Sequence, residues 1–149
     1  MGSTDDINRY WVSTVSVDSY AKGIPKGRLH NPFFEHPQDF ESLTGFLKIM
    51  ECTLNLTNQP QSFNCLRSFD KPPEHDFSIP ASPLVQRGGL ATFSLCIRFR
   101  RNSSWQGQLR WLEDGRQQNF RSVLELILLM DSALQTAQRR REKAKENTA

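Results

Sequence analysis

Long apolar runs are missing from this chain of 149 residues. None approaches the roughly 20 consecutive apolar residues that a bilayer-crossing helix needs, so no membrane span is expected. The first residues, Met1 to Trp11, lack the basic and apolar regions of a secretory signal, and the expected location is cytoplasmic. Histidine is as scarce as cysteine, with three of each. Cys52, Cys65 and Cys96 are odd in number and widely spaced, which argues against both a disulfide framework and a zinc site. His30, His36 and His75 have no metal-ligand spacing. The chain also lacks a Gly-rich phosphate loop and any local Ser, Cys and His set. No catalytic residue, metal, cofactor or small-molecule substrate is therefore expected, and the chain reads as a non-enzyme. With 37% apolar and 23% charged residues, the composition is that of a folded protein rather than a disordered one.

Charge of both signs is present but unevenly placed. Residues 1–85 hold 7 basic and 10 acidic side chains, whereas residues 86–149 hold 12 basic and 6 acidic. The segment 86–121 contains Arg87, Arg98, Arg100, Arg101, Arg110, Arg116 and Arg121 against only Glu113 and Asp114. Arginine suits phosphate or carboxylate recognition because its planar fork donates two parallel hydrogen bonds.

The sequence also repeats itself. Displaced by 80 residues, 27–54 and 107–134 share 7 of 28 positions: Gly27/Gly107, Leu29/Leu109, Gln38/Gln118, Phe40/Phe120, Ser42/Ser122, Met50/Met130 and Leu54/Leu134. Asp39/Asn119, Leu43/Val123 and Glu51/Asp131 are chemically close. The pattern indicates tandem duplication of a unit of about 45 residues.

In the second copy, Phe93, Leu95, Ile97 and Phe99 alternate with Ser94, Cys96, Arg98 and Arg100, the period-two pattern of a half-buried strand. Trp105, Leu109 and Trp111 alternate likewise with Gln106, Gln108 and Arg110. Asp114-Gly115 marks a hairpin turn, and Arg116–Phe120 reads as a short third strand. A helix follows, with Ser122 and Glu125 as a capping box and Asn119 as a competing cap. The first copy reads the same way more loosely: strands at Tyr10–Tyr20 and Lys26–Phe34, prolines 32 and 37 that shorten the second and third strands, and a helix from about residue 41. One more strand is expected within residues 63–69. The expected fold is α+β, tandem duplicated antiparallel sheet-plus-helix (βββα-like) units forming one pseudo-two-fold domain. Its segments are 1–9 as a flexible N-terminus or cloning remnant, 10–69 and 90–137 as repeats, 70–89 as a Pro-rich linker, and 138–149 as a basic helical or disordered tail.

Each helix carries one apolar stripe able to cover its own sheet: Leu43, Phe46, Leu47, Met50 and Leu54, and then Val123, Leu126, Ile127, Met130 and Leu134. The second helix has an extra ridge, Leu124 and Leu128, where the first has Thr44 and Lys48. That ridge is expected to meet a helix of the first copy or of a second chain; the alternative is the linker or the strand at 63–69.

A twisted antiparallel sheet followed by a helix opening Phe-x-Ser-apolar, twice in one chain, resembles the Pur-alpha repeats and the related Whirly and positive-cofactor-four folds. The resemblance implies binding of single-stranded nucleic acid on the sheet. Those folds place four strands before the helix, and this chain offers two or three. The stretch from Ser104 to Leu134 is also similar to short uncharacterised proteins of clostridia-like gut bacteria, which implies no chemistry. By parity, Arg98, Arg100 and Arg110, with Gln106 and Gln108, fall on the sheet face away from the helix, as a surface able to follow a phosphate backbone. Arg139, Arg140 and Arg141 in the tail are further candidates; the plainer alternative for both groups is a solvated surface. The same parity buries Trp105 and Trp111 and leaves no evident platform for base stacking. The competing reading is a protein-interaction adaptor or small inhibitor acting through Leu124 and Leu128, with a protein partner or a homodimer as its complement.

Overall fold

A computed structural model describes residues 12–57 and 87–147. The strand expected at 63–69, the segment 1–9 and most of the 70–89 linker lie outside these residues. Alternating apolar side chains mark β1 (Val12–Ser19), β4 (Ala91–Phe99) and β5 (Gln106–Trp111), and the shorter β2 (Lys26–His30) and β6 (Arg116–Phe120) pair beside them. Between β2 and β4 come β3 (Gln38–Phe40), cut short behind Pro37, and helix α1 (Leu43–Thr57). Helix α2 (Val123–Asn147) takes in most of the basic tail. The fold is α+β: one six-stranded antiparallel sheet in the order β3-β2-β1-β4-β5-β6, with two α-helices among the described residues.

The first half of the chain joins the second at the centre of the sheet. There β1 runs antiparallel to β4, with Thr14 opposite Ser94, Ser16 opposite Thr92 and Val12 opposite Cys96. On either side the registers keep the offset seen in sequence. Gly27 lies opposite Val17 and Phe40, and Gly107 opposite Ile97 and Phe120. Each half has a bulge at the same place, because the register slips between Val17 and Ser19 and again between Ile97 and Phe99. Asp18 and Arg98 are the extra residues, and the in-and-out alternation resumes one step late beyond them. The turns that follow contain left-handed backbone at Lys22 and Gly23, then at Asn102 and Ser103.

The two bulges explain both conserved-offset glycines. A Cβ on Gly27 would sit 1.9 Å from the Ser16 carbonyl oxygen, and one on Gly107 would sit 1.9 Å from the Cys96 carbonyl oxygen. Only a residue without a side chain lets the backbones approach so closely.

Serines start both helices. Ser42 Oγ accepts from the Gly45 amide at 2.9 Å and Ser122 Oγ from the Glu125 amide at 3.2 Å. Asn119 lies within β6 and takes no part, and Glu125 reaches back to the Arg121 amide rather than to that of Ser122, so the expected box is one residue longer. Phe46, Met50, Thr53 and Leu54 of α1, and Leu126, Met130, Ala133 and Leu134 of α2, are the buried helical residues. The apolar members pack with Val15, Val17, Leu29, Phe93, Leu95, Ile97, Leu109 and Trp111 of the sheet in one core.

Gly27→Ala and Gly107→Ala should each lower unfolding free energy by on the order of 1–3 kcal/mol, read from urea denaturation. Gly23→Ala, where an added Cβ would meet nothing within 4 Å, should cost less despite its φ of 73°.

Candidate nucleic-acid interface

Because Val15, Leu29, Phe93, Leu95 and Leu109 belong to the core under the helices, the alternate residues of these strands face the other way. That outward face carries Arg28 and His30 on β2, Thr14 and Ser16 on β1, Thr92, Ser94, Cys96 and Arg98 on β4, Gln108 and Arg110 on β5, and Gln117 and Asn119 on β6. Its middle is closed to solvent: Ser16 and Thr92 are 2% and 1% exposed, and His30 and Cys96 are buried. Burial holds His30 below its ordinary value, so it adds no charge at neutral pH, and pushes the Cys96 thiol up against the opposing pull of Arg98.

Whereas the exposed residues of the other wing include the carboxylates Asp18 and Asp39, the β4–β6 wing of the face is open to solvent. Arg98, Arg110, Gln117 and Asn119 are exposed there, with Gln108 and Ser94 half-buried. Gln108 Oε1 accepts from Arg98 Nη2 at 3.4 Å. Asp18 and Arg28, which occupy the corresponding places on the other wing, form an ion pair at 3.3 Å. The outward positions of β4, β5 and β6 include two arginines and no carboxylate.

Of the residues that parity assigned to this face, Arg100 is elsewhere and Gln106 is engaged locally. The bulge at Arg98 reverses the alternation, so Arg100 turns to the helix side. Its side chain is 9% exposed, and Nη1 donates to Glu51 Oε1 at 3.3 Å and to Asn55 Oδ1 at 2.7 Å on α1. Gln106 keeps its outward place in the β5 alternation, but its side-chain amide closes the β4–β5 turn, accepting from the Arg101 amide and donating to the Arg101 carbonyl. Of the remaining arginines in the segment, Arg87 pairs with Glu113, Arg116 with Asp114 and Arg121 with Glu125.

In the tail, Arg140 folds back onto Asp114 at 2.8 Å and lies 5.3 Å from the Trp111 ring centroid, while Arg139 reaches Thr136 and Arg141 is exposed. The Arg140 and Arg116 guanidiniums hold the Asp114 carboxyl below its ordinary range. Trp105 and Trp111 are buried as expected, Trp105 donating to Glu51 Oε2 at 2.8 Å and Trp111 flanked by two arginines. Leu124 and Leu128 are 65% and 57% exposed, so neither the first helix nor any other described residue covers them; the alternative cover, the linker or the strand at 63–69, lies outside the described residues.

The Arg100 contact has a counterpart that parity could not suggest. Tyr20, at the end of β1, donates its hydroxyl to Asp131 Oδ1 of α2 at 2.5 Å, and Gln138 Nε2 donates to the Tyr20 carbonyl at 3.0 Å. Each half's first strand thus ties down the other half's helix. The signal in the sequence was a donor at 20 and 100 matched by an acid at 51 and 131, all at one offset. Among the described residues, no three His, Cys, Asp or Glu side chains group as a metal site. No protein-family model, curated protein or solved structure matches the chain.

Burial first, then the Asp131 hydrogen bond and charge, raise the Tyr20 hydroxyl from 10.0 to about 12. Its contribution to stability is complete below pH 10 and is lost as pH climbs through the folded value. In a Tyr10→Phe background, ultraviolet titration should show the remaining tyrosine ionising near the higher value. Between those pH values, urea stability should fall more steeply in wild type than in Tyr20→Phe.

Proposed function

We propose that this chain is a non-enzymatic binding protein that holds single-stranded nucleic acid by its phosphates along the β4–β6 wing of the outward face. The observation that carries the reading is the acid-free strip itself: Arg98 and Arg110 stand exposed with Gln108, Gln117 and Asn119 around them, while most other arginines of the segment are satisfied by local carboxylates. Arg139 and Arg141 are separate exposed basic candidates on α2, on the helix side of the sheet, Arg140 being engaged with Asp114. With Trp105 and Trp111 in the core, affinity comes chiefly from charge rather than stacking, so binding is tolerant of base sequence and sensitive to salt.

The two halves, on the same proposal, are a tandem duplication related by a pseudo-two-fold axis through the Thr14–Ser94 pair. What supports this is the recurrence at one offset of the register, the bulge, the left-handed turn, the serine cap and the crossed Tyr20–Asp131 and Arg100–Glu51 contacts. The exposure of Leu124 and Leu128 favours a second reading, in which α2 is the docking surface of an adaptor or small inhibitor.

Fluorescence anisotropy with labelled single-stranded oligonucleotides should show binding at about 50 mM salt that weakens steeply as salt rises. Arg98→Ala with Arg110→Ala should reduce the slope of log K against log salt by roughly 1.4, two phosphate contacts at about 0.7 each. Wild type that fails to bind at low salt, or a double variant that binds as well with an unchanged slope, overturns the nucleic-acid reading.

A further inference from the structure

Unbroken alternation would bury Phe99 with Phe93, Leu95 and Ile97. The bulge at Arg98 sends it the other way: Ile97 lies opposite Gly107 on the core side, whereas Phe99 lies opposite Gln106 on the outward face. Its side chain is 48% exposed. Arg101 rests on the ring, the guanidinium carbon 4.6 Å from the ring centroid. Three hydrogen bonds hold the backbone that presents this arginine. Gln106 Oε1 accepts from the Arg101 amide at 2.9 Å, and the Arg101 carbonyl accepts from Gln106 Nε2 at 3.0 Å and from the Ser104 amide at 3.1 Å.

The first half shows that the fold does not require this pair. Its bulge is the same, yet Ser19 lies opposite Lys26 where Phe99 lies opposite Gln106, and Ala21 stands in the place of Arg101. An outward aromatic ring with an arginine held against it belongs to the second half alone. It sits at the end of the wing whose outward positions on β4, β5 and β6 carry Arg98 and Arg110 and no carboxylate.

We propose that Phe99 and Arg101 form a stacking subsite for one base of the single strand whose phosphates follow Arg98 and Arg110. The proposal rests on the nucleic-acid reading and deepens it. The chemistry of the neighbours selects the occupant. A planar ring backed by a guanidinium takes a flat, π-rich group, and the cations beside it take an anion joined to that group; a nucleotide supplies both. Because every base has a π-face, such a subsite adds affinity without reading sequence. The hydrogen-bonded turn fixes Arg101 before the ligand arrives, so little ordering is left to oppose binding.

Fluorescence anisotropy with a labelled thymidine oligonucleotide, and with an abasic strand of the same length, separates the ring from the charge. Wild type should bind the base-bearing strand about tenfold more tightly. Phe99→Ser, which installs the residue found at this place in the first half, should abolish that preference and keep the circular dichroism spectrum. It should leave the slope of log K against log salt unchanged, since no phosphate contact is lost. Phe99→Trp should retain the preference. With the photo-crosslinker p-benzoylphenylalanine in place of Phe99, irradiation should join the protein to the oligonucleotide. Wild type that binds both strands equally, a Phe99→Ser variant that still prefers bases, or crosslinks only to residues 1–11 or 58–86 of the same chain overturns the stacking subsite while the phosphate reading stands. Wild type that binds neither strand at about 50 mM salt overturns that reading and the subsite with it.

Discussion

The backbone pinch at each sheet bulge is the constraint from which the surfaces of this protein follow. Gly27 and Gly107 let a neighbouring strand come so near that its carbonyl would collide with any side chain, and the extra residues Asp18 and Arg98 are accommodated opposite them. One added residue changes the direction of everything beyond it. Tyr20 and Arg100, which unbroken alternation would have sent outward, reach instead across the core side to Asp131 and Glu51. The same step leaves Arg98 on the outward face beside Gln108 and removes Arg100 from it. Which cations are available to a ligand and how the helices are fastened are thus two results of one piece of geometry.

Electrostatics then sorts the arginines by neighbour rather than by number. Arg116 and Arg140 converge on Asp114 with Trp111 between them, a cluster that closes the β5–β6 hairpin against the middle of α2. Arg121 braces the first turn of α2 through Glu125, where a carboxylate also complements the helix dipole. These exposed pairs each contribute little to stability, but they consume positive charge that a bare count would assign to binding. The excess of basic residues in the second half of the chain is therefore a poor measure of its free cationic surface.

Much of the architecture was legible in the sequence because it depends on periodicity. The alternation from Phe93 to Ile97, the Asp114-Gly115 turn, the short third strand and the helix stripes ending at Leu54 and Leu134 all correspond to elements of the structure. Arg98, Gln108 and Arg110 were placed on the outward face by the same rule. The rule failed at Arg100, since a bulge leaves no signature in apolar spacing when a glycine lies on the opposite strand. The buried middle of the outward face was equally invisible: Ser16, Thr92 and His30 are residues whose polarity suggests solvent. The Tyr20–Asp131 bond joins residues 111 positions apart and unlike its counterpart in chemistry, so only the shared offset pointed to it.

The β1–β4 ladder at the centre of the sheet has a consequence for how the chain holds together when cut. Its hydrogen bonds, with the crossed Tyr20 and Arg100 contacts, join a piece ending at Thr57 to a piece beginning at Arg87 through non-covalent contacts alone. A nick between those points would sever the thread yet leave the two fragments clasped, able to be expressed apart and reassembled in the test tube. On its own each fragment would keep only one of the two neighbours of its innermost strand, β1 beside β2 or β4 beside β5, and the edge bared in each half would be prone to aggregate.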